Sequence, residues 1–307
     1  MVESAFLGFD LYSYFYALVR QIPPGMVTTY GDLADALGDR VAARACGYML
    51  SINPDPDGTP CYRVVPHDGS LGNYTHPLGP QEKRKRLERD GIRISHGKID
   101  NFERLRFNDF RTDHPLIKMQ REQEKLSELY TEEIDCDGSI GAVDVSYGDF
   151  SGIGSAVIED GEHHLIKSVM MDVNFPYIPG YLFYREFPFI RSLLKTFHGT
   201  ILIDGNGRLH PRAAGLATLG GILLNTRTIG VAKSRLMGKV VDNWVLMGNR
   251  RVASLLSKNI IVSAGHGIDV DSSVSFVKKV SGGKYPVILK EAHNSCTRTR
   301  KATVFHL

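Results

Sequence analysis

Apolar positions change rhythm partway along this chain. In the first hundred residues they recur at steps of three and four, the spacing that lines one face of a helix. Leu11, Tyr14, Phe15 and Leu18 follow it and predict an amphipathic helix over residues 10–20. The run IPPG (22–25) is a turn; Thr29 then caps a second helix over 30–37, which stops at Gly38. A third helix over 41–51 follows after a very short connection, which suits a helix-turn-helix. NPDPDGTP (53–60) breaks the pattern, and a basic helix over 80–89 ends near Gly91. Residues 97–115 are polar and charged with little periodicity, so the domain boundary falls there, ahead of a charged helix over 116–130.

From Ile140 the pattern becomes that of strands. IGAVDVSYG is one, and SAVIEDGEHHLIKSVMMDV is two around an Asp160-Gly161 hairpin signal. EFPFIRSLLKTF reads as a helix, TILIDGNG as a strand ending in glycine turns, and PRAAGLATLGGILL as a helix opened by Pro211. RTIGVAK, VLMGN and NIIVSAG supply further strands, and two helices close the chain. Hairpin strands followed by strands alternating with helices predict an α/β domain, a mixed sheet with helices packed on it. No internal repeat relates the halves.

The length of 307 residues suits two domains, and 42% hydrophobic with 23% charged residues excludes a disordered chain or a fibre. A net charge of +3 permits nucleic-acid binding without pointing to it. The first twenty residues lack a secretory pattern, and no apolar run approaches the roughly 20 residues that span a bilayer, so no membrane partner is expected. Cys46, Cys61, Cys136 and Cys296 have neither CxxC nor framework spacing. That argues against a disulfide scaffold or a zinc site and for a cytoplasmic protein with free thiols.

Three acids stand out by position. Asp144 lies inside the apolar strand GAVDVSY, Asp204 ends ILIDGNG, and Glu186 begins a helix after PYIPGYLFYRE. A carboxylate in an apolar strand is costly to bury unless something pairs with it. Taken singly, each reads as a salt-bridged or capping residue. Together at the mouth of one sheet they can share Mg2+, a hard cation that takes oxygen ligands, and such ions activate water for phosphoryl displacement. Lys233, ending TIGVAK, is placed to neutralise phosphate charge.

PYIPGYLFYRE, LIDGNGRLHPR, TIGVAKSRLMG and VSAGH occur in order after VDVSY, and together they closely resemble endonuclease V from about residue 116 to the C-terminus. The resemblance implies an RNase H-like fold and Mg2+-dependent (or Mn2+-dependent) cutting of a strand near a deaminated base, above all hypoxanthine. The cut would fall one bond removed from the lesion on its 3′ side. It implies Asp144, Asp204 and Glu186 as metal-binding and catalytic acids, and His210, Lys233 and His266 as active-site residues. Pro176, Tyr177, Ile178 and Pro179 match the wedge that parts the duplex, and Leu182, Gly205, Gly207 and Gly230 the base pocket. Base extrusion does need a wedge and a snug pocket. The plainer reading of Tyr177 is a core aromatic, although proline on both sides of Tyr-Ile is an odd way to build a core strand.

A single cysteine is more often a small buried hydrophobe than a nucleophile. Cys61, however, sits among IPPGMVTTYGDLADALG, AARACGYMLSINP, PCYRVVPHDGSLGNY and LERDG, which closely resemble the DNA-binding and active-site domain of O6-alkylguanine-DNA alkyltransferases over about residues 9–97. That resemblance implies a winged-helix-like module that enters the minor groove, flips out a guanine and moves its alkyl group to Cys61, once per molecule. Asn53 matches the hinge asparagine, Arg44 the arginine that fills the vacated stack, Tyr30 the tyrosine that rotates the nucleotide, and Tyr74 and Thr75 the guanine pocket. The bland alternatives are a surface charge for Arg44 and a cap-region aromatic for Tyr30. Two positions depart from the family's pattern: Tyr62 stands where a histidine follows the cysteine, and Asp90 where a glutamate precedes glycine. A thiolate is the nucleophile, and a neutral tyrosine, with a pKa near 10, is a poor base, though it can hydrogen-bond a thiolate in the pocket. His76, where the family has a Ser-Gly-Gly turn, is a candidate replacement base.

The expectation is therefore an alkyltransferase-like DNA-binding domain over 1–99, a linker over 100–115 and an endonuclease V-like domain over 116–307. The partner is double-stranded DNA with alkylated or deaminated bases, with single-stranded DNA or RNA also open, and the protein is a monomer. The alternatives are an N-terminal module that senses alkylguanine without repairing it, and a nuclease for inosine in RNA.

Overall fold

The computed structural model describes residues 3–75, 79–148 and 150–304, which form two compact units. The smaller holds Phe9–Met119 together with Asn174–Pro179; the larger holds the residues up to Gly8, Gln120–Val173 and the chain from Gly180 onward.

The smaller unit is mostly helical. Helix α1 (Leu11–Val19) is capped by Asp10, whose side chain accepts from the Ser13 N–H at 3.0 Å. After the two-residue strand β1 (Thr28–Thr29), α2 (Tyr30–Leu37) opens with a capping box. Thr29 accepts from the Asp32 N–H, and the Asp32 carboxylate accepts from the Thr29 N–H. Gly38, at φ +102°, ends the helix in the left-handed conformation that a side chain resists. The third helix is in two pieces, a short 3-10 turn at Arg40–Ala42 and then α3 (Ala43–Ser51). Strand β2 (Val64–Val65) pairs in parallel with β1. Helix α4 (Gly79–Arg89), the hairpin of β3 (Ile94–Ser95) and β4 (Lys98–Ile99), and α5 (Phe102–Leu105) follow. Leu11, Phe15, Leu33, Leu37 and Met49 are fully buried, and Val27, Val65, Leu87, Ile92 and Ile99 form a second cluster.

Residues 100–115 are packed within this unit. Phe107 donates its N–H to the Val27 carbonyl at 2.7 Å, and the Arg106 guanidinium grips both oxygens of Asp32 at 2.9 and 2.7 Å. Helix α6 (Pro115–Ser127) follows.

The larger unit is built on a nine-stranded mixed sheet. Its strands are β5 (Ile140–Tyr147), β6 (Ser151–Asp160), β7 (His163–Asp172), β8 (Thr200–Asp204), β9 (Arg227–Ala232), β10 (Lys239–Val241), β11 (Trp244–Met247), β12 (Arg250–Ser257) and β13 (Ile260–His266). They are ordered β10-β11-β12-β13-β9-β8-β5-β6-β7, with β5, β8 and β9 parallel and the other pairings antiparallel. Helices α7 (Leu182–Leu194), α8 (Leu216–Leu224), α9 (Val270–Ser281) and α10 (Val287–Val304) pack on it. Ala142, Leu202, Ile229 and Val262 of the strands close over Val274 and Val277 of α9 and Leu289 and Ala292 of α10. Among the described residues no helix is long and apolar enough to cross a membrane.

Two helix starts and two strands differ from the sequence expectation. Helix α7 starts at Leu182, so Glu186 lies in its second turn. Pro188 resembles a helix-opening proline, but the Tyr184 N–H already reaches the Tyr181 carbonyl at 3.1 Å. Helix α8 starts at Leu216 and not at Pro211, because Ala213 takes φ +50° and the His210 ring accepts the N–H groups of Arg212 and Ala214 at 3.2 and 3.3 Å. Strand β10 (KVV) is too short to show an apolar rhythm, and β12 (RRVASLLS) opens on two arginines and interrupts its apolar positions with serine.

Candidate functional sites

Strand register assembles the carboxylate centre in the larger unit. β5 and β8 run parallel with Val143 opposite Ile203, so the next residues, Asp144 and Asp204, emerge side by side. Side chains alternate across a strand. Asp144 therefore shares the face of Ala142, which α10 covers, while Val145 and Tyr147 face Phe189 of α7. From α10, His293 Nδ1 lies 2.7 Å from Asp144 Oδ2, and the Cys296 thiol donates to the same oxygen at 3.6 Å. Asp204 Oδ2 accepts from Lys233 Nζ at 2.8 Å and from the Tyr285 hydroxyl at 2.9 Å.

The acids feel one another. Burial raises the Asp144 carboxyl above its ordinary range, and the Asp204 charge adds to the effect. Burial pushes Glu186 up to about 8, with Asp144 and Asp204 adding to it. Repelling, partly buried carboxyl groups are relieved by a cation among them, and their oxygens suit a hard one.

The matched base-pocket residues are brought together. A Cβ on Gly230 would lie 2.6 Å from the Gly205 carbonyl and the Gly207 N–H, and one on Gly205 would lie 3.8 Å from the Leu182 side chain. His210 is buried, with Nε2 3.1 Å from the Gly180 carbonyl, and burial lowers its ring to about 4, so it is neutral. His266 is not brought to the carboxylates. β13 runs antiparallel to β9, which sets His266 beside Thr228, at the end of the sheet away from Asp204 and Lys233. Its Nδ1 accepts from the Thr131 N–H, and its ring lies edge-on to Tyr130.

The segment matched to the wedge belongs to the smaller unit, where the Asn174 carbonyl accepts from the Leu11 N–H at 2.9 Å. Pro176 and Ile178 are buried, Pro179 is exposed, and Tyr177 is 59% exposed, so it is no core aromatic.

The smaller unit has a cavity of about 110 Å³ lined by Tyr30, Cys61, Tyr74, Thr75 and Lys83. The Cys61 thiol donates to the Tyr74 hydroxyl at 3.8 Å, and Thr75 Oγ1 reaches the Ser51 carbonyl at 3.4 Å. Asn53 ties the preceding loop: its amide donates to the Thr59 carbonyl at 3.3 Å and its oxygen accepts from the Asp55 N–H at 3.1 Å. Arg44 is exposed on α3. Tyr62 is not among the cavity residues; its hydroxyl donates to Asp90 Oδ2 at 3.1 Å, and Arg63 Nε holds the same oxygen at 2.7 Å. Burial raises the Tyr62 phenol, so it stays protonated at neutral pH and has no acceptor role toward the thiol. His76 lies outside the described residues.

Sequence reasoning missed three residues. Lys83 is 1% exposed, donates from Nζ to the Val64 carbonyl at 2.7 Å, and is lowered by burial to about 8. The other two are His293 and Tyr285. The only signals available were the four-residue step from Lys83 to Leu87 on the buried face of α4 and the three-residue step from His293 to Cys296 on α10.

Fold and sites together define an α/β protein with a carboxylate centre, joined to a helical module with a cysteine centre. The family model described as "Endonuclease V" matches residues 121–294, and that described as "6-O-methylguanine DNA methyltransferase, DNA binding domain" matches residues 10–92. A "Bifunctional methyltransferase/endonuclease" of Picrophilus torridus is 48% identical over 297 residues, covering 96% of this chain and 98% of that one. The protein of the same description from Thermoplasma volcanium is 48% identical over 295 residues, covering 96% and 92%. Among solved structures, endonuclease V of Streptomyces avermitilis matches with 28% identity over 61% of this chain and 94% of that one, at a TM-score of 0.55. Endonuclease V of Ciona intestinalis, in complex with a 24mer DNA containing an inosine followed by a ribo-adenosine, shares the fold at 24% identity, with 62% of this chain and 100% of that one covered and a TM-score of 0.54. The chain belongs to the endonuclease V family and, over nearly its whole length, to its bifunctional methyltransferase/endonuclease members.

Proposed function

We propose that this chain repairs DNA in two ways: it moves alkyl groups from O6-alkylguanine to Cys61, and it nicks a strand on the 3′ side of deaminated bases, chiefly deoxyinosine, with Mg2+. The parallel register that sets Asp144 beside Asp204 carries the nuclease reading. Asp144, Asp204 and Glu186 would hold Mg2+ (or Mn2+) through their carboxylate oxygens. When bound, the ion supplies charge stabilisation and an activated water.

The chain's own groups do the rest. Lys233, held by Asp204, offers positive charge to the phosphate. Leu182 and the closely packed glycines Gly205, Gly207 and Gly230 would form the wall that meets the extruded base, and exposed Tyr177 with its flanking prolines parts the duplex. In the smaller unit, read as winged-helix-like, Arg44 fills the vacated stack and Tyr30 turns the nucleotide into the cavity. The bond from carbon to guanine O6 breaks as the bond from sulfur to that carbon forms. The thiol gives up its proton, the leaving guanine takes one, and neutral Lys83 is the acceptor at hand. The sensing-only and RNA-directed alternatives are not favoured. Residues 9–119 with 174–179 serve as the alkyltransferase half, and the free thiols suit a cytoplasmic protein.

A nicking assay on duplex DNA with one deoxyinosine tests the nuclease. The wild type cuts on the 3′ side only with Mg2+, and Asp144→Ala loses at least about 100-fold in rate. No nick from folded wild type, or equal nicking by the variant, overturns the reading.

A further inference from the structure

Asp144 is met by donors of unequal hardness. Its Oδ2 lies 2.7 Å from His293 Nδ1 and 3.6 Å from Cys296 Sγ, and one ligand atom from each of the three lies within 4.8 Å of the others. Zinc bonds of about 2.3 Å to sulfur and 2.0 Å to nitrogen in a tetrahedron separate those two atoms by about 3.5 Å, inside the span seen here. The three-residue step along α10 turns His293 and Cys296 to the same side, and the thiol's contact with the His293 carbonyl at 3.1 Å fixes it there. Cys296 is buried, while the His293 side chain is half exposed and leaves an approach from solvent.

We infer that the carboxylate centre has a second, thiophilic coordination mode, in which Asp144, His293 and Cys296 bind Zn2+ or a similar borderline ion and withdraw Asp144 from the Mg2+ set. Mg2+ takes oxygen ligands and has no use for a thiolate, so Cys296 is idle toward Mg2+ and selective for softer ions. Binding forms a metal–sulfur bond and releases the thiol proton to solvent; no oxidant or reductant is involved. The coordination stands on the three side chains, and only its effect on nicking rests on the nuclease reading.

Co2+ is the probe, added to the full chain. The wild type should show a near-ultraviolet thiolate-to-cobalt charge-transfer band that saturates at a single equivalent and disappears when Zn2+ is added. Cys61→Ser keeps the band and Cys296→Ser loses it. His293→Ala, which leaves the thiol in place, weakens Co2+ binding about tenfold or more. The Zn2+ concentration that halves each protein's own Mg2+-dependent nicking rate should rise about tenfold or more in Cys296→Ser. No band in the wild type, or the same band in a cooperatively melting Cys296→Ser, overturns the proposal. A band in a chain that cuts no inosine DNA keeps the metal site and removes the nuclease reading instead.

Discussion

Tyr62 and Asp90 make sense as a pair. A phenol reaches further than an imidazole, and an aspartate is one methylene shorter than a glutamate, so their hydrogen bond closes at 3.1 Å. The proton in it belongs to the phenol, however, which leaves Cys61 without a base on that side. Lys83 is in the cavity and burial lowers it to about 8, so its neutral, proton-accepting form grows as pH rises through that value. Single-turnover transfer of a labelled methyl group should therefore speed up with pH below about 8 and level off above it. Lys83→Arg, which stays charged, should slow transfer about 100-fold or more and abolish that limb, whereas Tyr62→Phe should keep it. A purely structural lysine would leave the pH profile unmoved. The nuclease acids have a matching signature: burial and the Asp204 charge both disfavour ionised Asp144. Without metal, Asp144→Asn should melt no lower than the wild type in calorimetry, although it nicks poorly. A structural salt bridge would show the reverse.

Elements were readable from sequence where their ends are locally encoded. Thr29, Asp32 and Gly38 specify α2 completely, since the capping box and the left-handed stop lie within ten residues. The starts of α7 and α8 were hidden because the Tyr181 carbonyl and the His210 ring set them, and neither leaves a mark in apolar periodicity. The same division holds at the sites. Asp144, Asp204 and Cys61 sit in continuous motifs, whereas His293, Tyr285 and Lys83 reach them across the fold from helices and loops whose local pattern is ordinary. Asp32 also shows what the cap gains from a distant residue. Burial pushes its carboxyl up, but hydrogen bonds from Arg106 and Thr29 bring it below the usual carboxylate range. A folded pKa below the unfolded value near 3.9 gives stability that is present above that pH and lost as pH falls through the folded value. Asp32→Asn should cost about 1–3 kcal/mol in urea unfolding at neutral pH, the lower end reflecting the partly exposed Arg106, and the deficit should shrink in acid.

At the scale of the whole molecule, the path of the chain matters more than any one contact. It changes unit after Gly8, after Met119, after Val173 and after Pro179. The opening residues belong to the larger unit, where Ser4 Oγ donates to Glu122 at 2.8 Å, and the proline-rich segment belongs to the smaller. The two activities are thus interlaced along the polypeptide, not strung end to end. A gene truncated at Met119 would give each product a strip of the other's unit and leave each unit short of one. Genetic dissection of this protein therefore calls for point substitutions such as Asp144→Asn and Cys61→Ala. Loss of one activity in a truncated half would report a broken fold before it reported a missing active site.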